Sequence, residues 1–393
     1  MLGRYGRVLC GATLASVCLL LAQAPEQSSA VPMAEYARTQ NALERYRALA
    51  AEDDGVILPE TGKSVEPGDH YDGVPRLSRL LALLGDLSDG AVSDAEVYQG
   101  QLVRAVQRFQ RRHGLEPHGR IDKATLAQLN TPLSFRVHQL ELALERWRRR
   151  PYDPSLPAIV LNLPEFRLRA FRANQLDLEM KIVVGQAPEH KTPLLSSQLE
   201  SVIFRPYWNV PLSIQRSELV PEIIKDPSFL SVQHFQITAQ DGVVEDEISE
   251  DMVSQLRSGN LRLRQAPGPA NVLGLVKFVF PNDYQVYMHA TSEPWLFARL
   301  RRDLSHGCIR VERAADLAEW VLREESGWPR DRIVKAMHGS ESISVTLTRP
   351  IQVVTMYVTA VALDNGEVHF FDDIYGEDEI LERRLAASPV NPG

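Results

Sequence analysis

The apolar residues change their spacing near residue 158, and that change constrains the fold more than any other feature of the chain. Upstream they recur at three and four positions. Leu77, Leu80, Leu81 and Leu84 form one stripe, Leu102, Ala105, Val106 and Phe109 a second, and Val137, Leu140, Leu144 and Trp147 a third. That is the spacing of one helix face. Downstream, "AIVLNLPEFRLRAF" and "LDLEMKIVVG" are rich in β-forming residues and joined by a short polar turn, which predicts a hairpin. A chain that is helical first and β-rich afterwards predicts an α+β, multi-domain protein, and its 393 residues are enough for separate cores.

Finer punctuation divides the chain. Leu43, Tyr46 and Leu49 predict an amphipathic helix, and "LPETGKSVEPGDHYDGVP" reads as a connector, so 31–70 is an N-terminal helical segment with its link. Residues 71–132 read as a small helical domain, closed by Thr125, Leu126 and Leu129, and 133–157 as a linker helix. Residues 158–350 read as a β-rich mixed domain, with further strands at Leu199–Phe204, Leu275–Phe280, Gln285–His289 and Cys308–Val311 and a helix at Ala314–Arg323. Its segment 213–262 turns polar and irregular, as expected of an inserted loop, subdomain or cap. Residues 351–393 read as a C-terminal β-hairpin and tail, with Asn365-Gly366 as the turn.

The N-terminus predicts export. Arg4 and Arg7 precede an apolar run from Val8 to Ala22, and small-residue sites follow at 22–24 and 28–30. That order describes a secretory signal over 1–30, with an uncleaved anchor as the alternative, and no later stretch reads as a membrane span. The expected compartment is the periplasm or cell envelope. A net charge of −8 argues against nucleic acid as a partner.

Removing 1–30 takes Cys10 and Cys18 with it and leaves Cys308 alone. Disulfides are the ordinary use of cysteine outside the cytoplasm, so a single thiol points to reactivity or an intermolecular bridge. A buried cysteine acting as a small apolar residue is the plain alternative. The neighbours of Cys308 supply what a nucleophile needs. Candidate bases stand at His306 and His289, Gly307 lets a carbonyl approach the backbone, and the Gly307 and Cys308 N–H groups can form an oxyanion hole. Arg299, Arg301, Arg302 and Arg310 are expected to favour the thiolate and a carboxylate-bearing substrate. His289, His306 and Cys308 are also three potential zinc ligands. No HExxH and no second cysteine accompany them, so neither a metal nor another cofactor is expected.

The segment "HATSEPWLFARLRRDLSHGCIRV" closely resembles the signature of L,D-transpeptidases with a YkuD-type catalytic domain: a histidine, then SHGC and Arg. "VVGQAPEHKTP", "PYWNVP", "APGPANVLGLVKFVFPN" and "DIYG" support it, and "AVQRFQRRHGLEPHGRIDKATLAQLN" resembles a peptidoglycan-binding domain. The likeness is to the large, multi-domain branch. It implies Cys308 as nucleophile, His289 as base, and the backbone carbonyl of Ala290 as the third member, where many relatives have Gly or Asp. It implies that Ser305, His306, Gly307 and Arg310 line the site, with Tyr287 and Trp208 as weaker candidates. It further implies an enzyme that acts on peptidoglycan stem tetrapeptides, stores the acyl group as a Cys308 thioester, releases D-Ala and passes the acyl group to an amine in a 3-3 crosslink. The residues alone leave His306 open as the base, since i and i+2 of a strand face one side. A wall-peptide cysteine hydrolase would use the same residues, and a non-catalytic wall-binding scaffold would lack the nucleophile or base.

Overall fold

The computed structural model describes residues 34–387 apart from 93–94, 150, 241 and 245–247, so the expected signal over 1–30 and the end of the tail lie outside the described residues. Among the described residues no helix is long and apolar enough to cross a membrane.

Five helices come first: α1 (Ala34–Glu52), α2 (Val74–Leu83), α3 (Gln101–Arg112), α4 (Lys123–Leu129) and α5 (Leu133–Arg148). The stripes of α2 and α3 meet in a core of Leu77, Leu80, Leu81, Leu102, Val106 and Phe109. Asp122 caps α4 by accepting from Thr125 N. Buried Gln110 ties down the turn before it, donating to Arg120 O and accepting from Gly119 N. The supposed connector contributes to this core. Leu58 and Val65 are buried in it, Val65 pairs with Ile121 through two backbone bonds of 3.1 Å, and the Asn130 amide bonds both backbone groups of Leu58. Gly, Pro and Asp kept this segment out of regular structure, but its apolar residues still had a face to cover.

The β-rich part runs β1 (Ala158–Asn162), β2 (Arg167–Arg172), β3 (Gln175–Gly185), β4 (Ser196–Phe204), β5 (Trp208–Asn209), β6 (Phe235–Ala239), β7 (Gly242–Val244), β8 (Arg262–Gln265), β9 (Val276–Val279), β10 (Met288–His289), β11 (Asp303–Ser305), β12 (Ile309–Val311), β13 (Ile343–Met356), β14 (Ala360–Ala362) and β15 (Val368–Phe370). The stretch read as one strand, "AIVLNLPEFRLRAF", is itself a hairpin, β1 against β2, and β2 turns again into β3. Nine strands form one sheet in the order β11-β3-β12-β10-β9-β4-β13-β1-β2, and β2 also pairs β3, which closes it on itself. A division at 350/351 falls inside β13, whose later residues 352–356 pair in parallel with β1. The interior is filled by Ile159, Leu161, Phe204, Phe278, Met288 and Ile309, with Leu317 and Trp320 packed on from the helix Ala314–Val321.

Two features are grafted onto this frame. The segment between β4 and β9, which pair directly through Phe204 and Val276, is a folded subdomain: a sheet of β5-β8-β6-β7 with its own core of Trp208, Ile223, Leu256 and Leu263. It therefore reaches beyond 213–262 at both ends. Its helix Glu250–Ser258 is capped by Ser249 and closed by left-handed Gly259. Buried Gln215 staples it by bonding Leu256 O, Leu261 O and Leu263 N. The second feature is the β14–β15 hairpin, which turns at Asn365-Gly366 and lies against the N-terminal helices. The Phe370 ring meets Tyr46 at 5.3 Å and His113 at 5.5 Å.

Candidate active site

Strand pairing assembles the site. β10 lies between β9 and β12, antiparallel to the first and parallel to the second, so His289 is opposite both Lys277 and Arg310. The Ile309 N–H donates to Tyr287 O at 3.0 Å, which brings Cys308 beside Tyr287. Val276, Phe278, Met288, Ile309 and Val311 point into the core. Strand alternation therefore turns Lys277, Tyr287, His289, Cys308 and Arg310 to the opposite face. The inserted subdomain touches that face, with Tyr287 packed against its core and Glu218 on His306.

Cys308 is partly exposed and unbridged. Its close surroundings push the thiol above its ordinary range. The backbone and hydroxyl of Tyr287, then Lys277 and Arg310, pull it part of the way back. His289 is 5% exposed. Burial, then the Arg310 charge, push it down to about 3, against the pull of the Ala290 and Leu273 carbonyls and with a smaller push from Lys277. Its Nδ1 is buried and accepts or donates no hydrogen bond, so the nearby Ala290 carbonyl acts on the ring through its dipole. Both groups are consequently neutral at rest, and the thiolate expected from the arginine-rich sequence is not favoured.

The arginines separate by role. Arg302 is buried and donates to the carbonyls of Ile182, Phe166, Arg299 and Leu300, and Arg301 grips Asp303 with both its Nε and a terminal nitrogen. Arg299 is exposed. Only Arg310 acts on the thiol, and it is itself paired with Glu293. The cation acting more strongly on the thiol is Lys277, which lies 3.7 Å from the Tyr287 ring centroid and is itself lowered by burial. Sequence reasoning passed over it because "GLVKFVF" reads as a plain strand. Its signal was a single lysine at an outward position of an apolar run.

The turn Ser305–Cys308 is tightly held. Ser305 Oγ donates to Cys308 O at 2.6 Å and accepts from Gly307 N at 3.2 Å. Gly307 has φ +108°, a region that side chains strain. Its N–H is thus engaged in the turn, which favours the Cys308 N–H as the oxyanion donor over the expected pair. His306 is exposed and turned away, with Nε2 2.8 Å from Glu218 of the inserted subdomain and its ring 4.6 Å from His190. Trp208, in the subdomain core, acts on the Tyr287 hydroxyl. The arrangement joins a thiol, a neutral imidazole and a backbone donor beside the inserted subdomain, which suits acyl transfer. Away from it, His70, Asp72 and Glu96 cluster on the surface of the helical module with their potential ligand atoms within 4.8 Å of one another.

Two segments of the chain match known families. Residues 157–345 match the family described as "YkuD: L,D-transpeptidase catalytic domain", and residues 70–129 the one described as "Putative peptidoglycan binding domain". A "Putative L,D-transpeptidase" of Haemophilus influenzae is 33% identical over 251 residues, which are 64% of this chain and 50% of that protein. The chain therefore matches about half the length of that curated relative. The crystal structure of an L,D-transpeptidase from Xylanimonas cellulosilytica aligns over 76% of this chain and 100% of its own, at 14% identity and a TM-score of 0.23. One from Stackebrandtia nassauensis aligns over 76% and 94%, at 12% identity and a TM-score of 0.26.

Proposed function

We propose, from the match of residues 157–345 to the YkuD L,D-transpeptidase catalytic domain and of residues 70–129 to a peptidoglycan-binding domain, that the protein is an exported, cysteine-dependent L,D-transpeptidase of the cell envelope. Its proposed donor is a peptidoglycan stem tetrapeptide and its proposed product a 3-3 crosslink. The observation that carries this reading is the pairing of β10 with β12, which turns His289 and Cys308 to one face beside Lys277 and Arg310.

The mechanism follows from two neutral partners. A thiol held above its ordinary range and an imidazole held near 3 do not form an ion pair at neutral pH. The proton leaves Sγ for His289 as the sulfur–carbon bond forms. The Cys308 N–H receives the oxyanion, and the Ala290 and Leu273 carbonyls stabilise the imidazolium that develops. Collapse expels D-Ala, whose nitrogen takes the proton from His289, and leaves the thioester. An incoming amine then attacks the thioester carbonyl, and its surplus proton returns through His289 to sulfur. No nucleotide is needed, which suits chemistry outside the cytoplasm. The inserted subdomain, acting as a cover, excludes water from the thioester, and the helical module would dock on the wall. Ser305 and Gly307 hold the turn, His306 engages the cover, and Tyr287 and Arg310 border the acyl group.

Intact-protein mass spectrometry tests this. With a defined tetrapeptide, or with a carbapenem-type β-lactam, the wild-type chain gains a covalent acyl group and the tetrapeptide loses D-Ala. Cys308→Ala gains none. An adduct that persists in Cys308→Ala would sink the proposal.

A further inference from the structure

A hollow of about 350 Å³ adjoins the turn that carries Cys308 and is framed by the loop after β3. Its lining includes Glu189, His190, Lys191, His306, Gly307 and Glu377. The hollow is close to the thiol. Thr192 Oγ donates to Gly307 O at 2.8 Å, and a Cβ added to Gly307 would lie 3.6 Å from His190 O. Cys308 Sγ is 4.0 Å from the carbonyl of Gln285, whose two chain neighbours, Tyr284 and Val286, also line it.

Its charges are distinctive. Around the site, His306 is paired with Glu218, Arg310 with Glu293 and Arg301 with Asp303. Glu189, Lys191 and Glu377 have no ion pair among the described residues. Lys191 Nζ spends one donor on Tyr375 O at 2.6 Å and sits over the Tyr375 ring, so two N–H groups remain. Tyr375 is itself fixed, since its hydroxyl donates to Gly185 O at 2.5 Å and accepts from Thr192 N at 3.2 Å. The Lys191 ammonium is therefore held in place by Tyr375, and an unpaired carboxylate, Glu377, enters from a different element, the helix Glu377–Ala387.

We propose that this hollow is a subsite for an α-amino carboxylate, with Lys191 reading the carboxylate and Glu377 receiving the ammonium before it gives up its proton. The proposal rests on the transpeptidase reading. A group carrying both charges on one carbon matches a small hollow with unpaired charges of both signs, and a plain amine or a neutral peptide segment does not. Both amines of the reaction fit: the released D-amino acid has this form, and the arriving amine attacks from the position the departing one vacated. The step balances. The ammonium first passes one proton to Glu377; then the thioester S–C bond breaks, the new N–C bond forms, and one N–H proton of the neutral amine passes through His289 to sulfur.

The test uses the full chain, preloaded with acyl donor, and compares transfer to a free D-amino acid with transfer to the matching D-amino alcohol, which lacks the carboxylate. The wild type should favour the D-amino acid through a lower KM. Lys191→Gln should reduce that preference about tenfold or more, the scale of one charge-assisted hydrogen bond, and Lys191→Arg should retain most of it. If the acyl-enzyme forms but Lys191→Gln keeps the wild-type preference, the subsite is overturned and the transpeptidase reading stands. If the wild type never forms the acyl-enzyme, that reading falls and the subsite with it.

Discussion

At the scale of single residues, the thiol is governed by burial more than by the arginines written around it. Cys308 has its titration raised and His289 is lowered to about 3, so His289 is unprotonated throughout the neutral range and free to act as a base. The rate of Cys308 alkylation by iodoacetamide should therefore keep climbing through about pH 9, beyond the ordinary thiol range, with no step near pH 6–7. Lys277→Ala removes a cation that pulls the thiol down, so its curve should shift to still higher pH. A plateau reached by neutrality would mean a preformed thiolate–imidazolium pair, contrary to this account. Cys308 and the Ser305–Gly307 turn stood out from residue type and spacing, whereas the choice of His289 over His306 came from the family resemblance. Lys277 and the pairing of Arg310 with Glu293 were not legible, because both depend on which strands lie side by side.

At the scale of elements, the inserted segment looked irregular because its strands are short and its helices are separated by polar turns. Its regularity lies in contacts between distant pieces: β5 pairs β8, and β8 pairs β6. Deleting 213–262 would cut β8 off at Arg262 and strip the partners from Trp208 and Leu263, leaving apolar surface exposed. Replacing 206–274 with a short Gly-rich turn should instead restore a plain β4–β9 hairpin. That variant should keep iodoacetamide reactivity at Cys308 and lose most turnover of the tetrapeptide, read by mass spectrometry. If thiol reactivity and the folding transition vanish together, the subdomain supports the barrel and does not cover it.

At the scale of the whole molecule, the two halves meet where α3 ends. His113 stacks on Phe109 at 3.8 Å, faces Phe370, and its Nδ1 lies 2.7 Å from Phe109 O. Beside it, buried Arg112 pairs with Asp86 and donates to Val368 O. Burial and the charges of Arg136 and Arg112 hold His113 well below its ordinary titration. A group whose folded value is depressed binds fewer protons folded than unfolded. Its contribution is complete above the unfolded value, near ~6.5, and is lost as pH falls below it. The melting temperature should therefore drop between pH 7 and 5, and His113→Phe, which keeps the aromatic stack, should make that drop shallower. An unchanged slope would show that the joint does not sense this histidine.

The sequence by itself determined the helical first part and β-rich remainder, because hydrophobic periodicity is local and each helix stripe or strand run carries its own pattern. It also marked the reactive turn, since Ser305, His306, Gly307 and Cys308 stand together within four residues. Only the tertiary structure decided the rest. It drew Leu58 and Val65 into the helical core, ran β13 through the expected boundary at 350, and docked the β14–β15 hairpin on the N-terminal helices. It also decided the charge states at the thiol. These outcomes depend on desolvation and on partners more than a hundred residues apart in some cases, as Gln352 on Ala158 or Phe370 on Tyr46, and no local pattern encodes which distant surface will remove the water.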